Sequence, residues 1–162
     1  MPLKPQKFQF LPFVICLLIP LTIGFAGSLL TTPSVKTWYT TINKPSFNPP
    51  NSVFGPVWSS IFVLIGIALY LVWRERKNVS GYGWSILVYF LQLILNLMWS
   101  YLFFYQHHIG FALIEIFILL IAIIANAFIF YRINKTAGLL FIPYILWVSF
   151  ASYLTYSIFI LN

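Results

Sequence analysis

Polar and apolar positions divide this chain into five long apolar runs that are separated by shorter polar segments. Each run continues for roughly twenty residues, which is the length that an α-helix needs to cross a bilayer. None shows the ~10-residue segments of alternating polar and apolar residues that form the strands of membrane barrels. Backbone groups in hydrocarbon must be paired internally, so continuous apolar runs are expected to form helices. The pattern predicts transmembrane helices at residues 10–30, 53–73, 84–105, 111–130 and 137–160.

The connections between these runs are short, apart from an outer loop predicted over residues 31–52. Short connections favour antiparallel packing of consecutive helices. We therefore predict an all-α integral membrane bundle that forms a single domain over residues 1–162. Pro45, Pro49 and Pro50 exclude a helix from the second half of the outer loop, and Pro56 is expected in the first turn of the next helix.

Composition supports a membrane protein, because 61% of the 162 residues are hydrophobic and only 7% are charged. Soluble domains typically carry about 25% charged residues. The net charge of +7 comes from cationic residues at the ends of the apolar runs rather than from one basic patch, so nucleic-acid binding is not expected.

The cationic residues are distributed unequally between the two predicted faces of the membrane. The face that holds Lys36 and Lys44 has only these two, while the N-terminal face has seven. By the positive-inside rule, the N-terminus is expected in the cytoplasm, and the outer loop and the C-terminus outside. The seven are Lys4, Lys7, Arg74, Arg76, Lys77, Arg132 and Lys135.

Several polar side chains lie within the apolar runs. Gln92, Asn96, Trp99 and Ser100 are spaced three and four residues apart, so they share one helix face that is expected to meet protein or a cavity. Glu115 lies inside the fourth run, where a charged carboxylate is costly. It is either a neutral hydrogen-bonding group between helices or a contact for protons or substrate.

Residues for ordinary enzyme chemistry are sparse. The single Cys16 lies within the first run, and the adjacent His107 and His108 are poorly placed to hold one ion, so no metal site is predicted. No hydrolase, zinc-protease or nucleotide-binding motif occurs. Four of the six tryptophans fall at the ends of runs, as interfacial aromatic belts do. Trp99 and Trp147 lie deeper and serve either a pocket or packing.

The chain resembles the translocator proteins, which are also called tryptophan-rich sensory proteins or peripheral-type benzodiazepine receptors. The resemblance extends over all five runs. It rests on Trp38-Tyr39, Lys44-Pro45-Ser46, Pro49-Pro50, Phe54-Gly55-Pro56-Val57-Trp58, Leu95-Asn96, Trp99-Ser100, Ala112-Leu113-Ile114-Glu115, Pro143-Tyr144, Trp147, Phe150 and Ala151.

The resemblance implies a receptor or sensory protein of the bacterial cell membrane, usually a homodimer, that needs no cofactor. Its expected ligands are porphyrins such as protoporphyrin IX, haem-pathway intermediates, sterols and benzodiazepine-type compounds. The ligand would lie between the helices under the outer loop, and Lys36 or Lys44 could meet porphyrin propionates. The implied binding residues are Trp38, Phe47, Phe54, Trp58, Asn96, Trp99, Trp147 and Ala151.

Two alternatives to simple binding follow from the same resemblance. One is transport of a porphyrin or sterol across the bilayer, with Glu115 as a proton-responsive group. The other is light-dependent porphyrin degradation with Trp147 as the redox-active side chain. Phe47 stands where the family commonly has tryptophan, which weakens the enzyme interpretation, and the absence of a basic residue after Lys135 removes the cholesterol motif of animal members.

Overall fold

A computed structural model describes residues 7–162, so Lys4 of the topology prediction lies outside the described residues. The described chain is helical without strands, and five helical segments are long and apolar enough to cross a membrane. The all-α, five-span prediction is confirmed. The helices are α1 (Phe10–Lys36), α2 (Trp38–Thr41), α3 (Asn51–Arg74), α4 (Tyr82–Ser100), α5 (Ile109–Ile133), α6 (Lys135–Leu139) and α7 (Ile142–Leu161), and a π-helical turn at Tyr101–Tyr105 continues α4.

The first helix is longer than predicted, because it continues to Lys36 and not only to residue 30. The hydroxyls of Thr31 and Thr32 donate to the carbonyls of Gly27 and Ser28, each at 2.8 Å. These hydroxyl groups therefore find their hydrogen-bond acceptors within the helix and do not require a loop. The outer connection is correspondingly shorter and contains the single helical turn of α2.

Proline positions at the start of α3 also differ from the prediction. The helix begins at Asn51 after Pro50, so Pro56 lies inside it and the first-turn placement of Pro56 was wrong. Pro50 is the residue that separates the extended chain from the helix, with φ −54° and ψ 142°. In the last span, Pro143 occupies the first turn of α7, where its missing N–H has no helical partner to lose.

The bundle places α1 against α3 and α4, α5 against α4 and α7, and α6 against α3. Sequential neighbours thus pack closely, as expected, except for α3 and α4. These two helices are bridged by the long side chain of Tyr89, whose hydroxyl donates to the carbonyl of Ile65 at 3.2 Å. Residues of α1, α3, α4 and α7 line a space between these helices.

Close contact between α1 and α3 depends on glycine. A Cβ at Gly66 would lie 3.0 Å from the carbonyl oxygen of Cys16 and from the Cα of Leu17. A Cβ at Gly24 would lie 2.5 Å from the Phe62 ring. The small residues of the first span thus permit a close helix–helix approach, as predicted from the sequence.

Candidate functional site

A cavity of about 510 Å³ lies between α1, α3, α4 and α7. This volume is within the range of small-molecule sites, which is typically about 300–1,000 Å³. The structure brings together six of the residues predicted to bind ligand. They are Phe54, Trp58, Asn96, Trp99, Trp147 and Ala151.

The wall that α3 contributes is aromatic, because aromatic residues recur every four positions on the face that lines the cavity. Phe54, Trp58 and Phe62 lie on this face, with Trp58 stacked on Phe62 at a centroid distance of 5.6 Å. Phe54 meets Trp147 of α7 edge to face at 5.8 Å. Such rings form flat apolar surfaces that suit a flat apolar molecule.

Three of the residues that line the cavity carry side-chain nitrogens, namely Asn96, Trp99 and Trp147. Asn96 donates from Nδ2 to the hydroxyl of Tyr144 at 3.0 Å, which fixes its amide. The indole nitrogens of Trp99 and Trp147 are buried and have no hydrogen-bond partner within residues 7–162. An unmet buried donor costs about 1–3 kcal/mol. Both residues line the cavity, but their nitrogens are enclosed by protein, so it is the rings rather than the N–H groups that face the cavity.

Tyr39 anchors the outer connection at one end of the cavity. Its buried hydroxyl donates to Asn48 Oδ1 at 2.7 Å. Burial raises the pKa of Tyr39 to about 12, although the Asn48 hydrogen bond lowers it, so this side chain stays a neutral donor. Lys44 donates to the carbonyls of Tyr39 at 2.6 Å and Ile42 at 3.1 Å. These hydrogen bonds join the start of the outer connection, at Tyr39, to its later residues Lys44 and Asn48.

Trp38 and Phe47, the other two predicted binding residues, do not line the cavity. Trp38 stacks on His107 with centroids 4.3 Å apart, and it meets Phe103 edge to face. Phe47 stacks on Tyr153 at 5.2 Å on the outside of α7. Both side chains instead hold the outer connection against the bundle.

Residues 42–50, here called the strap, run from the end of α2 to α3 and pack along α7. Asn43 and Asn162 clasp one another, because the Asn43 N–H donates to Asn162 Oδ1 and Asn162 Nδ2 donates to the Asn43 carbonyl, each at 2.9 Å. The Phe47–Tyr153 stack is a second point of attachment. The strap is thus held on the side of the bundle where Tyr39 meets the cavity.

Replacement of Asn162 by alanine is expected to loosen the strap, because it removes both hydrogen bonds of the clasp. Each such bond contributes about 0.5–1.5 kcal/mol. Hydrogen–deuterium exchange should show the Asn43 amide exchanging several-fold faster, with α3 unchanged. The control is Asn78→Ala, which removes an exposed asparagine that bonds only Glu75 in the next connection. Equal protection of Asn43 in both variants would show that the clasp does not hold the strap.

Three buried amide or carboxyl side chains, of Gln92, Glu115 and Asn126, lie outside the cavity. Gln92 shares a face with Asn96, as predicted, but it does not line the cavity. Glu115 and Asn126 of α5 are also buried away from it. The side-chain oxygens and nitrogens of all three have no hydrogen-bond partner within residues 7–162. No group of three or more histidine, cysteine or acidic side chains in that part of the chain could hold a metal ion.

The sequence reasoning missed one complete wall of the cavity. On α1, Gly24, Ser28, Thr31, Val35 and Lys36 line it, together with neighbouring positions. Small and hydroxyl residues recur every three or four positions there, which is the signal that could have revealed this face. Of these residues, the sequence indicated only Lys36 as a ligand contact.

Comparisons with known proteins agree with this architecture. The sequence profile of the TspO/MBR family matches residues 16–161. The tryptophan-rich protein TspO of Chlorobaculum tepidum is 40% identical over 161 residues, which cover 95% of this chain and 98% of the relative. The protein of the same name from Archaeoglobus fulgidus is 42% identical over 156 residues, covering 94% and 97%. The translocator protein of Homo sapiens is 33% identical over 139 residues, covering 83% and 80%. The chain is therefore an integral membrane protein that belongs to the TspO/MBR family.

Proposed function

We propose that the protein is a membrane receptor that binds a porphyrin, or a similar flat lipid-like or benzodiazepine-type molecule, in the cavity between α1, α3, α4 and α7. Family membership supports a sensory or transport role in the membrane. The observation that carries the finer proposal is the cavity of about 510 Å³, which Phe54, Trp58, Trp99 and Trp147 line with aromatic rings. A tetrapyrrole offers a flat apolar body that suits these rings.

A titration with protoporphyrin IX in the dark tests this proposal. We expect saturable changes in porphyrin absorbance, with binding weakened about threefold to tenfold in Trp147→Phe, which keeps an aromatic ring but reduces the apolar area that it offers the ligand. Asn96→Ala should also weaken binding, because it removes the amide that is fixed at the cavity wall. Absorbance is the better readout, since tryptophan fluorescence changes with the substitution itself.

Trp84→Phe is the matched control, because Trp84 lies at the start of α4, is 63% exposed and does not line the cavity. It should bind as the parent protein does. Empty detergent micelles, titrated in parallel, measure partitioning without protein. The proposal fails if absorbance never saturates beyond the micelle signal, or if Trp84→Phe weakens binding as much as Trp147→Phe.

Light-dependent porphyrin degradation is a second candidate, favoured by one observation. Trp58, Trp99 and Trp147 all line the cavity, so oxidisable indoles would lie beside a bound porphyrin. The replacement of tryptophan by Phe47 does not change this wall, because Phe47 packs on Tyr153. Equal rates of porphyrin loss under illumination with and without the protein would exclude this activity.

A further inference from the structure

The cavity has a polar, cationic end and an apolar end. Lys36, in the last turn of α1, lines it near the strap, with Thr31 and Thr32 one turn away. Leu21 and Phe62 line the other end. At 1.5 Å rise per residue, Leu21 and Lys36 are roughly 22 Å apart along α1. A ligand that extends along α1 therefore passes from an apolar environment to a positive charge.

No acidic side chain among the described residues offsets that charge within the cavity wall. The two acids of the chain are Glu75, which follows the end of α3, and Glu115 on α5, and neither lines the cavity. The Lys36 side chain is exposed to solvent, and its ammonium makes no hydrogen bond or ion pair to residues 7–162. The field at this end of the cavity therefore favours an anionic group.

The other lysine near the strap is differently placed. The Lys44 ammonium donates to the carbonyls of Tyr39 and Ile42 and lies 4.9 Å from the centre of the Tyr39 ring. It does not line the cavity. Lys44 thus stabilises the outer connection, while Lys36 keeps its donors available for a ligand.

We propose that Lys36 determines the class of ligand, selecting amphiphiles with a carboxylate at one end of an apolar body. The carboxylate pairs with Lys36 at the strap end, and the apolar body extends between Trp58 and Trp147 toward Leu21. This inference rests on the proposed function and adds to it an orientation and a preference for acids over their neutral esters. Because Lys36 is solvent-exposed, the preference is modest and depends on salt.

Protoporphyrin IX and its dimethyl ester are suitable probes, because they share one ring system and differ only in the esterification of the two propionates, which removes their charge. The full-length protein, in nanodiscs of zwitterionic lipid at low ionic strength, should bind the acid roughly threefold to tenfold more tightly than the ester. Lys36→Gln should abolish this preference by weakening the acid alone. Lys36→Arg should keep it, and Lys44→Gln is the matched control that should also keep it.

The outcomes separate this inference from the function on which it rests. Saturable binding of both probes with equal affinity, or an acid preference that survives in Lys36→Gln, would overturn the role of Lys36 and leave the cavity as a porphyrin site. Loss of the preference in Lys44→Gln but not in Lys36→Gln would overturn the inference by showing that Lys44, and not Lys36, pairs with the carboxylate. Saturable binding of neither probe would overturn the proposed function itself, and the inference with it.

Discussion

Gly138→Ala is expected to prevent the protein from reaching its native fold. A Cβ at this buried position of α6 would lie 2.4 Å from the Cβ of Tyr131, 2.5 Å from its Cα and 2.6 Å from its backbone nitrogen. These atoms belong to the backbone region of α5 and cannot rotate away as the end of a flexible side chain can. Overpacking usually costs about 1–3 kcal/mol, and a backbone clash of this severity should reach or exceed the upper value.

Thermal unfolding in detergent, followed by circular dichroism and by the monodisperse fraction on gel filtration, measures this effect. The control is Gly83→Ala in the first turn of α4, where an added Cβ would meet nothing within 4 Å. That variant should be as stable as the parent or slightly more so, because alanine favours a helix over glycine. A Gly138→Ala protein with the melting temperature of the parent would mean that α5 and α6 do not pack as described.

The number and type of helices followed from the sequence, because backbone groups in hydrocarbon must be hydrogen-bonded internally. A continuous apolar run meets this requirement as an α-helix. The ends of the helices were predicted less well, because polar side chains near a helix end can form hydrogen bonds in a helix as well as in a loop. The first span was predicted to end at residue 30, yet the hydroxyls of Thr31 and Thr32 bond carbonyls one turn earlier and α1 continues to Lys36. Pro56 suggested a helix start, whereas the chain enters the helix at Asn51.

The cavity residues were predictable where side-chain chemistry alone marks them. Asn96, Trp99 and Trp147 stood out as polar or amphipathic groups at membrane depth, and all three line the cavity. Trp38 and Phe47 carry the same aromatic signal, but the direction of their rings depends on tertiary partners, His107 and Tyr153. Similarly, no local pattern distinguishes Gln92, which is buried away from the cavity, from Asn96 on the same helix face.

The wall that α1 contributes is a property of packing rather than of any motif. Gly24 permits contact with the Phe62 ring, and an added Cβ at Gly27 would lie 3.5 Å from the Ser100 hydroxyl. These two contacts place one face of α1 against both α3 and α4, so that its small residues border the cavity. A sequence shows that such residues are small, but not which helix they meet.

Ala151→Phe is expected to weaken porphyrin binding by roughly tenfold or more while the protein remains folded. Ala151 is a buried residue of α7, one turn beyond Trp147, and it lines the cavity with the smallest side chain of that wall. A phenyl ring there would occupy volume that the ligand needs and would remove apolar contacts, which contribute about 1.5–3 kcal/mol for one large side chain. Because the ring extends into the cavity, the effect on unfolding should be small.

The comparison variant is Ile160→Phe, which adds a ring to the same helix at a position that is 61% exposed and away from the cavity. Both variants should melt near the parent temperature, and only Ala151→Phe should lose affinity in the porphyrin titration. Retained affinity in Ala151→Phe would place the porphyrin outside this cavity, because an added ring would weaken the binding of a ligand that occupies the same space. Equal loss in both variants would point to an effect on the membrane face of α7 instead. The difference between the two affinities, rather than either value alone, therefore tests whether the porphyrin binds between α1, α3, α4 and α7.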